Sequence, residues 1–420
     1  MRRLILNRIH LFDTVSGSII RDQCIVIKDR LIDWVGDCHA MPKDAEDQII
    51  DLDNHFALPG LIDTHVHLED TRQAIFESEK ALLRTKDGMR GYLALLHARQ
   101  YLKAGFTTLR DCGSITTSLS SLRQFFDSDL MNGPRLQVAQ NPLGQWGNQE
   151  AFGPHLKLEA DRKFEIPSGR DGVRHAVREA KYQGSNFIKT ATTGGVLHGL
   201  DSKLERSLWS QEELSAMVSE AERLGMYVAA HAHGSLGILE AVRAGVRTIE
   251  HGSMLNKEIV TLMKEKGTYL VPTESPAMFF EKADSGQLSG IGPEIIEKFK
   301  AVSQMVIKSH KMAYQGGIPL VLGTDAPVGN EHGQSAQEIV FMVKNIGMNP
   351  AEALQASTLK AAIAIRMDDK IGSLSKMKAA DIIVVPFDPL KDIEKLQDTS
   401  KISHVIKDGK IVAQKGVLLP

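Results

Sequence analysis

The sequence has little cysteine, little excess charge and no long apolar run. Its three cysteines, Cys24, Cys38 and Cys112, include no Cys-x-x-Cys pair, so neither a disulfide framework nor a cysteine zinc site is indicated. We therefore expect a reducing, cytoplasmic setting. The net charge of −2 gives no reason to expect nucleic acid or an anionic membrane as a partner. The first apolar stretch is broken by Asn7 and His10, which argues against a signal peptide or a membrane span.

What is present is typical of a folded globular protein, with 42% hydrophobic and 24% charged residues among 420. That length predicts more than one domain. Both ends read as short strands joined by turns, for example at Asp29-Arg30, Gly36-Asp37 and Lys407-Asp408-Gly409. We expect a small β-sandwich domain built from both chain termini, residues 1–57 and 370–420.

Between the ends, short apolar strands alternate with helical stretches, which is the pattern of a parallel α/β fold. The stretch 210–225 is the clearest helix, because Ser210 and Glu213 form a capping-box pattern. Over residues 58–369 the count of such units predicts a (β/α)8 TIM barrel. A doubly wound open sheet is the main alternative, although no Gly-x-Gly-x-x-Gly follows the first strand. The candidate strands are 60–67, 107–113, 135–140, 186–192, 227–233, 247–252, 268–273 and 318–326.

Residues that bind metals fall repeatedly at the ends of these strands. In the first strand, "LIDTHVH", His65 and His67 are two residues apart and therefore point to the same side. Barrel active sites lie at the carboxyl ends of the strands. Several such residues converging on one rim indicate a metal site there. The other members of the set are Lys189, His231, His251 and Asp325.

Six groups are too many for one catalytic zinc with three protein ligands and an open position. Six ligand groups suit two metal ions that share a bridging group. Lys189 is unusual in this set, because an ammonium group has no lone pair and repels a cation. A neutral amine in a desolvated pocket can instead add carbon dioxide, and the resulting carbamate has two oxygens that can bridge two metals. We therefore expect a carbamate on Lys189 rather than a salt-bridged lysine.

The sequence resembles the amidohydrolase superfamily over essentially its whole length. The resemblance is to the imidazolonepropionase-like branch that contains Xaa-Pro dipeptidases, metal-dependent carboxypeptidases and ochratoxin-hydrolysing amidases. It is carried by "LPGLIDTHVHL", "AGFTTLRDCG", "FIKTATTGGV", "VAAHAHG", "IEHG", "GTDA", "HGQSAQEI" and "EALQASTLKAA". This set of motifs is specific.

The resemblance implies a division of roles among the six groups. His65 and His67 would bind the more buried metal, a carboxylated Lys189 would bridge both metals, and His231 and His251 would bind the outer one. Asp325 would be a ligand and the proton carrier, so Asp325 and His251 are the expected catalytic residues. Zinc is the expected ion, although manganese and cobalt fit the same ligands. A water between two metals is acidic enough to give hydroxide near neutral pH, which would attack an amide carbonyl.

Four further residues are candidates for substrate binding. His233 could contact the substrate or serve only as a hydrogen-bonding partner. His198 and His332 lie in rim loops, where exposed histidines are also common. Relatives usually carry "TGGHGD" after the third strand, whereas this chain has "LGQWGN", with Trp146 at the place of the histidine. An indole stacks on flat groups but cannot replace an imidazole.

Trp146 leaves the substrate class open. We expect a small-molecule amide substrate, either peptide-like, an N-acyl amino acid or an aryl amide. An aryl carbamate or ester is the alternative that suits a tryptophan-lined pocket. A mononuclear deaminase or ring-opening hydrolase would not need Lys189, and a non-catalytic scaffold would not need all six positions. A homo-oligomer is the expected assembly.

Overall fold

Strands from both ends of the chain pair with one another in a single sheet. The computed structural model describes residues 3–42, 47–71, 85–114, 116–144, 167–196, 203–276 and 293–419. Nine strands form this terminal sheet, in the order β16-β15-β14-β13-β5-β1-β2-β3, with β4 beside β1. Their bounds are β1 Leu4–Asp13, β2 Ser18–Lys28, β3 Leu31–Asp37, β4 Gln48–Asp51, β5 Phe56–Pro59, β13 Ile382–Val385, β14 His404–Lys407, β15 Lys410–Gln414 and β16 Val417–Leu418.

The antiparallel pairing of β13 with β5 joins the two chain ends. The sheet is mixed, because β1 is antiparallel to β2 and parallel to β4 and β5. The predicted turns at Asp29 and at Asp408-Gly409 are confirmed, with φ of 57°, 47° and 76° respectively. Gly36-Asp37 is not a turn, because both residues continue β3 opposite β2. A sandwich arrangement and the proposed domain boundaries stay predictions.

Cys24 and Cys38 form a disulfide, so the prediction of no disulfide was wrong for this pair. The hairpin explains it: β2 places Cys24 opposite Gly36 of β3, and Cys38 follows two residues later. Cysteine spacing in the sequence does not reveal such cross-strand proximity. Since disulfides are rare in reducing compartments, the cysteine pattern no longer supports a cytoplasmic setting, which stays a prediction.

The middle of the chain carries two parallel sheets with the strands in sequence order. One sheet contains β6 Leu61–Val66, β7 Phe106–Ser114 and β8 Arg135–Gln140. The other contains β9 Ile188–Ala191, β10 Val228–Ala232, β11 Thr248–His251 and β12 Tyr269–Val271. All seven coincide with predicted strands. The eighth predicted strand, 318–326, is represented only by parallel bridges, Leu270 to Leu320 and Val66 to Ala326.

Helices separate most of these strands, as predicted. In helix α4, Gln211–Arg223, the predicted capping box is confirmed. The Glu213 N–H donates to Ser210 Oγ at 3.3 Å and the Ser210 N–H to Glu213 Oε2 at 3.0 Å. Among the described helices, none is long and apolar enough to cross a membrane. Their bounds are α1 Asp87–Lys103, α2 Ser118–Asp127, α3 Gly169–Tyr182, α4 Gln211–Arg223, α5 Ser235–Ala244, α6 Lys257–Lys266, α7 Pro293–Gln315, α8 Ala336–Phe341, α9 Pro350–Ala356 and α10 Leu359–Ala364.

A buried group of charges connects the terminal sheet to β8. Arg135 of β8 contacts Asp381 at 2.5 Å and Asp408 at 2.6 Å, and Lys407 Nζ lies 3.8 Å from Asp381. Burial raises the pKa of Asp381, but the charges of Lys407 and Arg135 outweigh it and hold the pKa below its ordinary value. The carboxylate is therefore the form that stabilises this junction.

The Asp381→Asn variant is expected to lower the free energy of unfolding by about 3 kcal/mol at pH 7. Arg135 and Lys407 each lose one of two carboxylate partners and keep only Asp408. The loss should shrink as pH falls below about 4, since the wild-type carboxyl then becomes protonated and loses the same advantage. Urea unfolding over a pH series measures both. Asp392→Asn is the control, because its 2.9 Å pair with Lys395 is exposed and such pairs contribute about 0–1 kcal/mol. An equal loss at every pH would contradict the electrostatic explanation.

Candidate metal centre

The six residues predicted to bind metal lie close together, and His65, His231 and His251 are in the last two residues of their strands. Three of them form a carboxylate trio, His65, His67 and Asp325, whose ligand atoms lie within 4.8 Å of one another. Asp325 Oδ1 is 3.3 Å from Nε2 of His65 and 3.3 Å from Nε2 of His67. His65 and His67 therefore project to one side of the chain, as their spacing predicts.

A second group, the histidine trio, consists of His231, His233 and His251, whose ligand atoms also lie within 4.8 Å of one another. Its ring centroids are 4.6 to 4.9 Å apart. The two trios are neighbours, because the rings of His65 and His251 are 5.3 Å apart.

Lys189 adjoins the carboxylate trio. Its Nζ lies 3.1 Å from Nε2 of His65, and the residue is buried. Its charge also acts on the histidine trio, where burial and then the neighbouring imidazoles hold the pKa of His251 well below its ordinary value, with Lys189 adding to them. Lys189 is therefore placed where one group can interact with both trios.

Hydrogen bonds on the far side of two rings fix which nitrogen each can offer. His65 Nδ1 lies 2.8 Å from Glu250 Oε2, and His251 Nδ1 lies 2.7 Å from Thr273 Oγ1. With Nδ1 engaged, Nε2 is the atom that each ring can give to a metal, and partners of this kind also fix the ring orientation.

The protonation states of His65 and Asp325 favour metal binding as well. In His67, burial lowers the pKa but the hydrogen bond and charge of Asp325 outweigh it and raise the pKa, so this ring must lose its proton when a metal binds. Burial lowers the pKa of His65 to about 4, and the charge of Lys189 contributes. Burial raises the pKa of Asp325, but His65 and His67 outweigh it and leave the pKa below its ordinary value. Neutral imidazoles and an ionised carboxylate are the forms that bind zinc and similar divalent ions. The donor set therefore fits divalent metal ions.

The sequence and the fold of this chain are similar to those of known proteins. The sequence profile of the Amidohydrolase family matches residues 56–412. The chain belongs to the amidohydrolase family. It is 29% identical to ochratoxinase from Aspergillus niger, over 96% of this chain and 85% of that protein. It is 34% identical to a crystal structure of an Xaa-Pro dipeptidase with bound methionine in the active site, with a TM-score of 0.86 over 97% of this chain and 99% of that one. A prolidase complexed with N-methylphosphonate-L-proline matches with 28% identity and a TM-score of 0.87 over 98% and 100% of the two chains.

The predicted family resemblance is thus confirmed. Family membership supports a hydrolase that acts on amide C–N bonds. The solved relatives combine a TIM-barrel-type parallel core with a β domain, in agreement with the mixed α/β architecture of this amidohydrolase. The ligand roles assigned above to individual residues stay predictions.

Two residues at the site were missed by sequence reasoning. Glu250 and Arg110 are fully buried, and Arg110 Nη2 lies 2.8 Å from both carboxylate oxygens of Glu250. Burial raises the pKa of Glu250, but Arg110 outweighs it, so the pKa lies far below its ordinary value. Glu250 is therefore a permanent acceptor for His65 Nδ1–H. The signal was a charged residue inside each of two apolar strands, "TTLRDCG" and "TIEHG".

His332 contacts residues outside both trios. Its Nδ1 is 3.0 Å from the Tyr101 hydroxyl, its Nε2 is 2.9 Å from the carbonyl oxygen of Asp70, and its ring stacks on His97 at 3.9 Å. These contacts attach its loop to α1 and to the segment after β6. A role of His332 in substrate binding stays a prediction. Trp146 and His198 lie outside the described residues.

Proposed function

We propose that this chain is a binuclear, metal-dependent amidohydrolase that cleaves an amide bond of an amino-acid derivative. The observation that carries the proposal is that the two trios of possible metal ligands are neighbours. Lys189 Nζ lies beside them, 3.1 Å from His65 Nε2. A single ion would use three or four of these groups. Seven groups in contact suit two ions.

We also infer that β6 to β12 and the segment 318–326 close an eight-stranded barrel. Parallel bridges support this closure, since Leu143 pairs with Thr190 between the two sheets, and Leu270 with Leu320 beyond β12. The ring returns to β6, where the Thr64 N–H donates to the Leu322 carbonyl at 2.9 Å. A closed ring is what directs all the strand ends toward one site.

Within this site, His65 and His67 would hold the inner ion, and His231 and His251 the outer ion. Asp325 would be an additional ligand, and a carbamate on Lys189 would bridge the two. Carbamate formation joins the amine nitrogen to carbon dioxide and releases one proton. When bound, the two ions supply the acidification of a water molecule and the polarisation of the substrate carbonyl.

The proton transfers belong to Asp325. Its carboxylate takes the proton that the attacking water loses when the water oxygen bonds to the carbonyl carbon. The same carboxyl then gives that proton to the amide nitrogen as the C–N bond breaks, so that a carboxylic acid and an amine leave. His233 is assigned to contact with the substrate, beside His231 and His251.

The substrate class follows from the relatives by similarity. An Xaa-Pro dipeptidase and a prolidase are among the similar structures, and ochratoxinase is among the similar curated proteins. We therefore favour amides in which an acyl group is joined to an amino acid. Aryl carbamates and esters are the second candidate class of substrate.

Two measurements on the purified chain test this proposal. Mass spectrometry of metals should find two divalent ions per chain after reconstitution with zinc. A panel of Xaa-Pro dipeptides, N-acyl amino acids, aryl amides and aryl carbamates should then identify an amide that is hydrolysed. One ion per chain would favour a mononuclear deaminase or ring-opening hydrolase. No activity on any member, with two ions bound, would favour a scaffold protein.

A further inference from the structure

Buried polar residues also lie directly behind the candidate metal centre. His310 in α7, Glu274 after β12 and Glu338 in α8 are all fully buried, and none of them belongs to either trio. They are connected to one another and to His251. The proposed reaction does not use them, so their burial needs another explanation.

The imidazole of His310 joins two acceptors. Its Nε2 lies 2.5 Å from the carbonyl oxygen of His251, and its Nδ1 contacts Oε1 of Glu274. A carbonyl oxygen only accepts, so Nε2 must carry a hydrogen and donate it. The contact with Glu274 then holds a second proton between Nδ1 and the carboxyl oxygen. His310 is in this way attached at both ends, to the backbone of His251 and to Glu274.

Glu338 holds the backbone turn that contains Glu274. Its carboxyl oxygens accept the N–H of Glu274 at 2.6 Å and that of Ser275 at 2.9 Å. These residues follow Thr273, whose Oγ1 is the partner of His251 Nδ1 at 2.7 Å. The network therefore reaches His251 twice, once through its carbonyl and once through its ring.

Both contact points need such support, because both have unfavourable backbone conformations. His251 has a φ of 71° and Thr273 a φ of 50°, in the left-handed region that β-branched residues avoid. Such a conformation is costly and persists only where its surroundings determine it. Helix α7 supplies a further bond nearby, since Ser309 Oγ donates to the Gly252 carbonyl at 2.6 Å.

We propose that His310 is a positioning residue, which with Glu274 fixes the imidazole of His251 in the orientation that binds the outer ion. The inference rests on the proposed function, because it takes His251 as a metal ligand. It assigns His310 no contact with substrate. Its effect is on the affinity of one ion out of two.

The test compares zinc binding by the wild-type chain and three variants, with zinc titrated against a chromophoric chelator. His310→Leu should bind the first ion normally and the second about 10–100-fold more weakly, as is typical for the loss of a partner behind a ligand. His310→Gln should recover most of that affinity, because its amide N–H can donate to the same carbonyl. Tyr314→Phe is the control, because Tyr314 lies in α7 like His310 but belongs to neither trio. The substitution removes only the hydrogen bond of 2.5 Å that the Tyr314 hydroxyl donates to Glu352 Oε2.

If His310→Leu binds both ions with wild-type affinity, the inference is wrong and the proposed function stands. If the wild-type chain binds fewer than two ions, the proposed function itself fails. Should His310→Leu not fold, Glu274→Leu decides. A leucine side chain forms no hydrogen bond with His310 Nδ1 and so weakens the hold on His310, and the second ion should again bind more weakly. Unchanged affinity in that variant would overturn the inference.

Discussion

The Asp325→Asn variant is expected to lose about 10²–10⁴-fold in kcat for amide hydrolysis while it still binds two ions. Asparagine has nearly the same size as aspartate and keeps an oxygen where Oδ1 lies 3.3 Å from the ring nitrogens of His65 and His67. An amide cannot take up a proton from water at neutral pH. The variant therefore separates proton transfer from ligation, and kcat and metal content are measured on the same sample.

A control shows whether the effect is specific to that carboxylate. Asp392→Asn changes an exposed acid that pairs with Lys395 and belongs to neither trio. It should leave kcat within about twofold, since surface changes away from a site have small effects. Wild-type kcat in Asp325→Asn would remove Asp325 from the reaction. Loss of an ion together with activity would restrict its role to ligation.

Much of the fold could be predicted, because strand and helix patterns are local properties. Seven parallel strands, from β6 to β12, coincide with the apolar stretches that predicted them. The helix α4 begins after Ser210 as its capping box predicts. The order of the strands follows from short connections between neighbouring units.

The eighth stretch shows where a local pattern is insufficient. Residues 318–326 are apolar enough to predict a strand, yet the N–H groups of Thr324 and Asp325 both donate to the single carbonyl of His65, at 3.2 and 2.8 Å. Asp325 also has a φ of 57°. The segment therefore leaves the regular ladder at the residue that the site needs, which is common at functional positions.

Glu250 was missed for a related reason. In a regular strand, residues 250 and 251 point to opposite sides, so only one of them could face the site. With His251 in the left-handed conformation, both side chains reach the site: His251 belongs to the histidine trio and Glu250 contacts His65 Nδ1. Sequence alternation predicts neither this turn nor the buried pair of Glu250 with Arg110.

Long-range proximity explains the remaining differences. The Cys24–Cys38 disulfide depends on the register of β2 and β3, which the cysteine count does not give. His332 was correctly placed in a rim loop, but its partners, Tyr101 and the carbonyl of Asp70, come from segments more than 200 residues away. Such contacts follow from the closed arrangement of all the strands.

Lys189→Met is expected to abolish hydrolysis, by about 10³-fold or more, and to leave fewer than two ions bound. Lys189 is buried and its Nζ lies 3.1 Å from His65 Nε2, so an ammonium group here would repel both ions and the protonated forms of the nearby imidazoles. A carbamate reverses that charge and offers two oxygens to the ions. Methionine fills the same space without either property. A 10³-fold loss in rate corresponds to about 4 kcal/mol of transition-state stabilisation.

Carbon dioxide distinguishes a carbamate from a lysine that is merely buried. Metal-free protein reconstituted with zinc in buffer without carbon dioxide should stay nearly inactive, and bicarbonate should restore activity and the second ion. In Lys189→Ala, added acetate should restore part of the activity, because a free carboxylate can occupy the space that the side chain vacates and bridge the ions. Full activity without carbon dioxide would show that the unmodified amine of Lys189 is sufficient for hydrolysis. The ions would then be bound by the two trios without an anionic bridge.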